Sequence, residues 1–236
     1  MNAKERKENS ERILREQGIL INEHLPMIET EEEAEFRTPE EIAERSAAAV
    51  LISQIAIDIA QDGDIAASRQ FFSGHLKRLG LYGILTDDEK LILEAGSVPK
   101  EFAVNMTWRI EMCMPLFYAC GFIEGDLDYP SEASDCTSIV KMIIECKDRD
   151  DLMSHIKMKP SEDILDRADL IYRMDWACVE ARIRSAPKFL DKLLKKNSRN
   201  ISGSLDHEVV VEQHKGYNWI IGAYGSEEWD NVSADT

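Results

Sequence analysis

Ser161-Glu162-Asp163-Ile164-Leu165-Asp166-Arg167-Ala168-Asp169-Leu170-Ile171-Tyr172-Arg173-Met174-Asp175-Trp176-Ala177 carries the reading that decides the fold class. Ile164, Leu165, Ala168, Ile171, Tyr172 and Trp176, continued by Val179, recur at spacings of about 3.6 residues, the period of an amphipathic helix. Ser161 offers a capping hydroxyl just ahead, so the spacing predicts a helix over 162–183. Strand alternation is absent here and scarce elsewhere.

The same signals recur outward from this segment. The N-terminal residues 1–22 read as a helix. Thr38-Pro39-Glu40-Glu41 combines an N-cap hydroxyl, a proline at the first helical position and a glutamate at the third, predicting a helix to about Gln61. Phe71, Phe72, Leu76 and Leu79 mark another over 68–79, with Gly80 as its stop. Thr86-Asp87-Asp88-Glu89 repeats the capping logic, with Gly96 placed for a left-handed end. A long helix is expected over 101–121, kinked or divided at Pro115, which removes an amide donor. Segments 135–146, 149–156, 189–196 and 206–221 complete the set, with a polar loop over 197–204. Val209-Val210-Val211 argues weakly for a small β element near the C-terminus. These patterns predict an all-α single domain of about eight helices over 1–236, with the tail 225–236 packed on it.

The chain has 236 residues, 44% apolar and 31% charged, with 12 Gly and 7 Pro, which suits one compact core and excludes collagen-like and disordered classes. Lys and Arg total 28 against 45 Asp and Glu, a formal net charge of -17, which argues against nucleic acid and anionic lipid as partners. Met1-Asn2-Ala3-Lys4-Glu5-Arg6-Lys7-Glu8 lacks the apolar core of a signal peptide, so a cytoplasmic location is expected. The apolar stretches 47–60 and 112–123 fall short of the ~20 residues that span a bilayer, so no membrane segment is expected. The 5 cysteines are odd in number and contain no C-x-x-C pair, so they read as reduced thiols.

Chemical motifs are mostly excluded. His207-Glu208-Val209-Val210-Val211 lacks the second histidine of a zinc-protease site. Phosphate-binding glycine loops and the nucleophile elbow do not occur. Facing acidic pairs for a magnesium-dependent pyrophosphatase are poorly spaced, since after Glu41 and Glu44 the next E-x-x-D is Glu132 with Asp135. No cofactor and no metal is expected.

Helical geometry places Asp166, Asp169, Arg173 and Trp176 on one stripe with Tyr172 beside it, mixing charge with aromatic surface. Trp108, Arg109 and Glu111 present the same mixture elsewhere. The candidate residues are therefore Arg109, Glu111, Asp166, Asp169, Tyr172 and Arg173. Two outcomes are open. Arg109, Glu111, Asp169 and Arg173 could form a buried network that fixes helix register, or the arginines could line a pocket for an anionic ligand with Asp166 or Glu111 as base or metal ligand. Charge is also uneven along the chain. Residues 23–44 hold nine acidic side chains against Arg37, whereas 181–200 hold Arg182, Arg184, Lys188, Lys192, Lys195, Lys196 and Arg199 against Asp191. In the tail, Trp229 is expected to anchor between helices while Asp230 and Asp235 meet arginines or helix N-termini.

Lys159 to Ala177, Leu25-Pro26-Met27-Ile28-Glu29, Arg37 to Arg45, Trp108-Arg109-Ile110-Glu111, Asn218-Trp219-Ile220 and the ending Trp229 to Thr236 together resemble domain-of-unknown-function family 4272 along nearly the whole chain. Two departures stand out: Tyr118-Ala119-Cys120-Gly121 where the family tends to Trp-Ala-Leu-Gly, and Gln213 where an arginine is expected after Glu212. The second weakens any argument built around Glu212. The resemblance implies a bacterial protein and carries over no catalytic residue. The expected role is an interaction or regulatory protein of the immunity or antitoxin kind, binding a basic protein partner. The alternative is an enzyme acting through Arg109, Glu111, Asp166, Asp169 and Arg173 on a phosphate- or carboxylate-bearing small molecule.

Overall fold

The computed structural model describes residues 1–124, 127, 129–185, 202–223 and 228–236. Among them the chain is all-α, running α1 (Ala3–Glu16), α2 (Pro39–Ala60), α3 (Ile65–Arg78), α4 (Asp87–Glu94), α5 (Lys100–Thr107), α6 (Arg109–Ala119), α7 (Thr137–Glu145), α8 (Arg149–Ser154), α9 (Ser161–Ser185) and α10 (His207–Ile221). Short 3-10 turns sit at Tyr82–Ile84 and Trp229–Asn231. The predicted helix 189–196 and most of loop 197–204 lie outside the described residues. No helix among the described residues is long and apolar enough to cross a membrane.

The caps at Thr38 and Thr86 behave as read, whereas Ser161, read as standing just ahead of its helix, is the first residue of α9. Thr38 with Glu41 and Thr86 with Glu89 both form reciprocal capping boxes. Other boundaries move for identifiable reasons. α1 stops at Glu16 rather than residue 22 because Gly18 adopts φ 73°. Its amide donates to the Arg15 carbonyl at 3.1 Å and that of Ile19 to Leu14 at 2.9 Å, a Schellman closure. Gly96 is not left-handed; α4 ends instead on Ala95 in extended backbone. Phe71, one of the apolar residues that mark α3 in the sequence, is 50% exposed. Val209, Val210 and Val211 lie inside α10, where Asp206 caps the Glu208 and Val209 amides and Gly222 closes the helix, so no strand forms among the described residues.

The helix expected over 101–121 is two, and the division falls at Trp108 rather than Pro115, which stays inside α6. The cause is partly non-local. The buried Ser53 hydroxyl on α2 donates to the Met106 carbonyl at 3.1 Å, and Thr107 Oγ1 donates to Val104 O at 2.7 Å. Both hydroxyls offer carbonyls an alternative to the helical ladder.

One apolar cluster joins these elements, from Leu14 on α1 to Trp229 and Val232 in the tail. α2 is buried on most of its circumference, with Ala43, Ala47 and Ala48 at 0% exposure, as expected of a central helix. It packs on α3, α4, α5 and α6, while α1 lies on α9 and α10 packs on both α6 and α9. The α10–α6 crossing is close because of Gly216. A Cβ there would sit 2.3 Å from the Met112 carbonyl oxygen and 3.0 Å from Pro115 Cγ. Gly216→Ala should therefore destabilise by about 2 kcal/mol or more, overcoming the ~1 kcal/mol that alanine gains in helix propensity. Urea denaturation measures this; a more stable variant would mean that the helices separate freely.

Candidate functional site

On α9 the i,i+4 pair forms as the spacing dictates. Arg173 donates through Nε to Asp169 Oδ2 at 2.8 Å and through Nη2 to Oδ1 at 2.7 Å. Both side chains are buried, at 2% and 1% exposure, so the charges neutralise each other in a low-dielectric setting. Arg173 Nη2 also donates to the Pro26 carbonyl at 3.1 Å, and Nη1 lies 4.0 Å from Glu11 Oε1. α1 covers the rest of the stripe, with Arg6 Nε donating to Asp166 Oδ1 at 2.9 Å. Tyr172 is buried beside it, 5.7 Å from the His214 ring, and burial pushes its phenol above the usual range. Arg173 and Arg6 at this stripe are thus directed to carboxylates and backbone carbonyls.

Arg109 and Glu111 do not join that stripe. Residues two apart on a helix diverge, and α10 lies against both α6 and α9. Arg109 turns to the tail, donating to the Trp229 carbonyl at 3.0 Å and pairing with Asp230 at 3.5 Å. Burial and the neighbouring Asp230 carboxylate together push Asp88 above its ordinary range at this junction. Glu111 instead accepts from the Ser134 amide at 2.6 Å, the Ser134 hydroxyl at 2.9 Å and Gln213 Nε2 at 3.1 Å. The expected network of Arg109, Glu111, Asp169 and Arg173 is thus three separate sites, of which only the Asp169–Arg173 pair takes the form foreseen.

Several polar residues at these sites escape sequence reading. Gln213 and His214 are adjacent on α10 and point to opposite neighbours, Gln213 to Glu111 and His214 Nδ1 to Asp175 Oδ2 at 2.8 Å, with Asp175 and His214 at 1% and 2% exposure. Glu212 is not part of this arrangement; it pairs with Lys215 at 2.5 Å. Glu89, legible as a cap, also accepts two hydrogen bonds from Nη2 of the buried Arg45 guanidinium, at 2.5 and 2.6 Å, while Arg45 Nη1 donates to the Ile84 carbonyl at 2.9 Å. Only the partner's side of each pair, distant in sequence, would have revealed it. Among the described residues all five cysteines are free and buried. Burial pushes the Cys120 and Cys178 thiols up to about 12 and Cys113 higher still, so none is an activated nucleophile.

Two clefts flank the loop 130–135. The larger, about 590 Å³, is lined by Phe122, Tyr129, Glu124, Glu132, Asp135 and Gln213 among others. The smaller, about 350 Å³, is lined by Ile57, Val104, Trp108 and Glu111, and shares Ala133 and Ser134 with the first. Both are within the usual range of ligand pockets. The large cleft has three carboxylates and no Lys or Arg among its described lining residues. Among the described residues no group of three His, Cys, Asp or Glu side chains is placed to hold a metal ion.

Neither the curated proteins nor the solved structures contain a match to this chain. A family model does match, over residues 6–232, which includes α9, the Glu111 and Gln213 contacts and the Trp229 anchor. The chain therefore belongs to the family described as domain of unknown function (DUF4272).

Proposed function

We propose that this chain is an acidic interaction protein, of the immunity or antitoxin kind, that binds a basic protein partner. The carrying observation is the sign of the larger of the two clefts, which Glu124, Glu132 and Asp135 line, with Glu124 paired to Lys159 at 3.5 Å. The net charge of -17, despite the basic stretch 181–200, has the same sign and would speed encounter with a cationic surface. An enzyme acting on an anionic small molecule would need Arg109, Glu111, Asp166, Asp169 and Arg173 to converge on one accessible pocket. They are divided among three sites, and the pair on α9 is spent on itself. The free buried thiols agree with work in a reducing bacterial cytosol.

A fluorescent oligolysine peptide titrated into the full chain provides the test. Binding should be clear at low salt and fall steeply towards 0.15 M, where exposed charges are screened beyond about 8 Å. No binding, or an affinity indifferent to salt, would overturn the proposal.

A further inference from the structure

We propose that residues 3–12, the first turns of α1, are a displaceable strap over the acidic side of α9, which lifts away when a basic helix of the partner takes that side. The identity of the partner rests on the preceding reading; the opening of the strap does not.

The way α1 is attached supplies the first reason. Its buried side chains are Arg6, Ser10, Glu11 and Leu14, so residues 3–12 bury no apolar side chain. Leu14 and Ile19 hold the far end in the core, at 0% and 4% exposure. A segment with so little apolar burial opens below the free energy of the whole fold, hinging where the apolar anchors begin. What holds it shut is polar. Arg6 Nε donates to Asp166 Oδ1 at 2.9 Å and Nη1 to the Glu29 carbonyl at 3.4 Å, while Lys7 Nζ donates to the Glu23 and Leu25 carbonyls at 2.6 Å each. Water replaces all of these partners once the strap lifts, so their net hold is modest.

The fit beneath the strap supplies the second reason. Glu11 Oε1 and Arg173 Nη1 stand 4.0 Å apart, both buried and both without a hydrogen bond. A sealed donor and acceptor that miss each other disfavour the closed state, and opening hydrates both. Glu162, Asp166 and Asp169 recur along one stripe of α9 at spacings of four and three, and Glu162 and the neighbouring Asp163 are already exposed. Arg173 neutralises Asp169, which leaves Glu162, Asp163 and Asp166 for an incoming cation. Arg6 is the cation that α1 sets against Asp166, so a helix with a basic side chain already sits where a basic partner helix would dock.

Hydrogen exchange of the full chain, read by mass spectrometry over segments 3–12 and 43–56, provides the test. Segment 3–12 should exchange at least about tenfold faster than 43–56, and Arg6→Ala should accelerate it by about tenfold more while leaving 43–56 unchanged. Oligolysine at low salt should likewise accelerate 3–12 and not 43–56. Arg6→Ala should bind oligolysine about fivefold tighter, whereas Lys4→Ala, which removes the same charge from an exposed position of α1, should change affinity less than about twofold. Glu162→Gln with Asp163→Asn changes only exposed groups and should weaken binding by about threefold. Segment 3–12 protected as strongly as 43–56, equal affinity gains from Arg6→Ala and Lys4→Ala, or an unchanged affinity in the α9 variant would overturn the proposal. The wild-type exchange measurements need no variant and decide the matter if Arg6→Ala does not fold. The two proposals fail separately. Oligolysine that binds without accelerating 3–12 sits elsewhere and sinks the strap alone. Segment 3–12 opening as expected, with no oligolysine binding, sinks the basic partner and leaves the strap as an opening device.

Discussion

Arg173→Ala should lower the unfolding free energy by about 3 to 5 kcal/mol, because it strands the Asp169 carboxylate in a site from which water is excluded. The Asp169 side chain is 1% exposed and loses both of its hydrogen bonds from the guanidinium, at 2.7 and 2.8 Å. The Pro26 carbonyl and Glu11 on the α1 side lose a partner as well, so the docking of α1 on α9 weakens in the same step. An exposed i,i+4 pair would change stability by under about 1 kcal/mol, and a urea denaturation midpoint converted through an unchanged slope separates the two cases. Replacing both partners by apolar residues of similar volume, Asp169→Leu with Arg173→Met, should recover most of the loss, since the penalty lies in the orphaned charge rather than in the missing attraction. A single variant that loses less than about 1 kcal/mol would mean that the pair is hydrated in solution.

The second large effect belongs to the tail. Trp229 is 4% exposed, stands edge-on to Trp219 with ring centroids 5.3 Å apart, and has the guanidinium carbons of Arg45 and Arg109 at 5.5 and 5.9 Å from its ring. Trp229→Ala should cost about 3 to 5 kcal/mol through lost burial and the cavity that remains. Deleting 228–236 should cost at least as much, because Arg109 then loses the Trp229 carbonyl and Asp230, and Asn218 loses the Ser233 carbonyl at 2.9 Å. Trp229→Phe is the informative control. The indole Nε1 has no hydrogen-bond partner, so phenylalanine removes volume but no bond, and the loss should stay below about 2 kcal/mol. Thermal melting of the three variants checks this ranking; an unchanged melting temperature after the deletion would mean that the tail contributes nothing to the fold.

Much of the backbone was legible because its causes are local. A capping box lies within four residues, and the Asp169–Arg173 pair spans a single turn, so α2, α4 and α9 could be placed from Thr38, Thr86 and the period of Ile164 to Trp176. The all-α class followed from the same periodicity, and the anchoring of Trp229 from the cost of leaving an indole in water. Local propensity misled where packing opposed it. Val209-Val210-Val211 prefers extended backbone, yet burial between α6 and α9 and the Asp206 cap make it helical. Pro115 invites a break, yet the division sits at Trp108, where Ser53 on α2 withdraws the Met106 carbonyl from the ladder.

The candidate site was legible only in its residue types. Arg109 and Glu111 are adjacent enough in sequence to suggest one cluster, but helical rotation turns them apart, and the oxygen and amide partners of each are brought by segments more than twenty residues away. Asp230 and Trp229 arrive from the tail, Ser134 from the loop before α7, and Gln213 from α10. The sequence by itself determined the helices, their caps and the acidic sign of the molecule, since each depends on neighbours along the chain or on composition alone. Tertiary structure decided which charges neutralise one another and which carboxylates are left facing a cleft, because that depends on distances between side chains that the chain brings together only when the core closes.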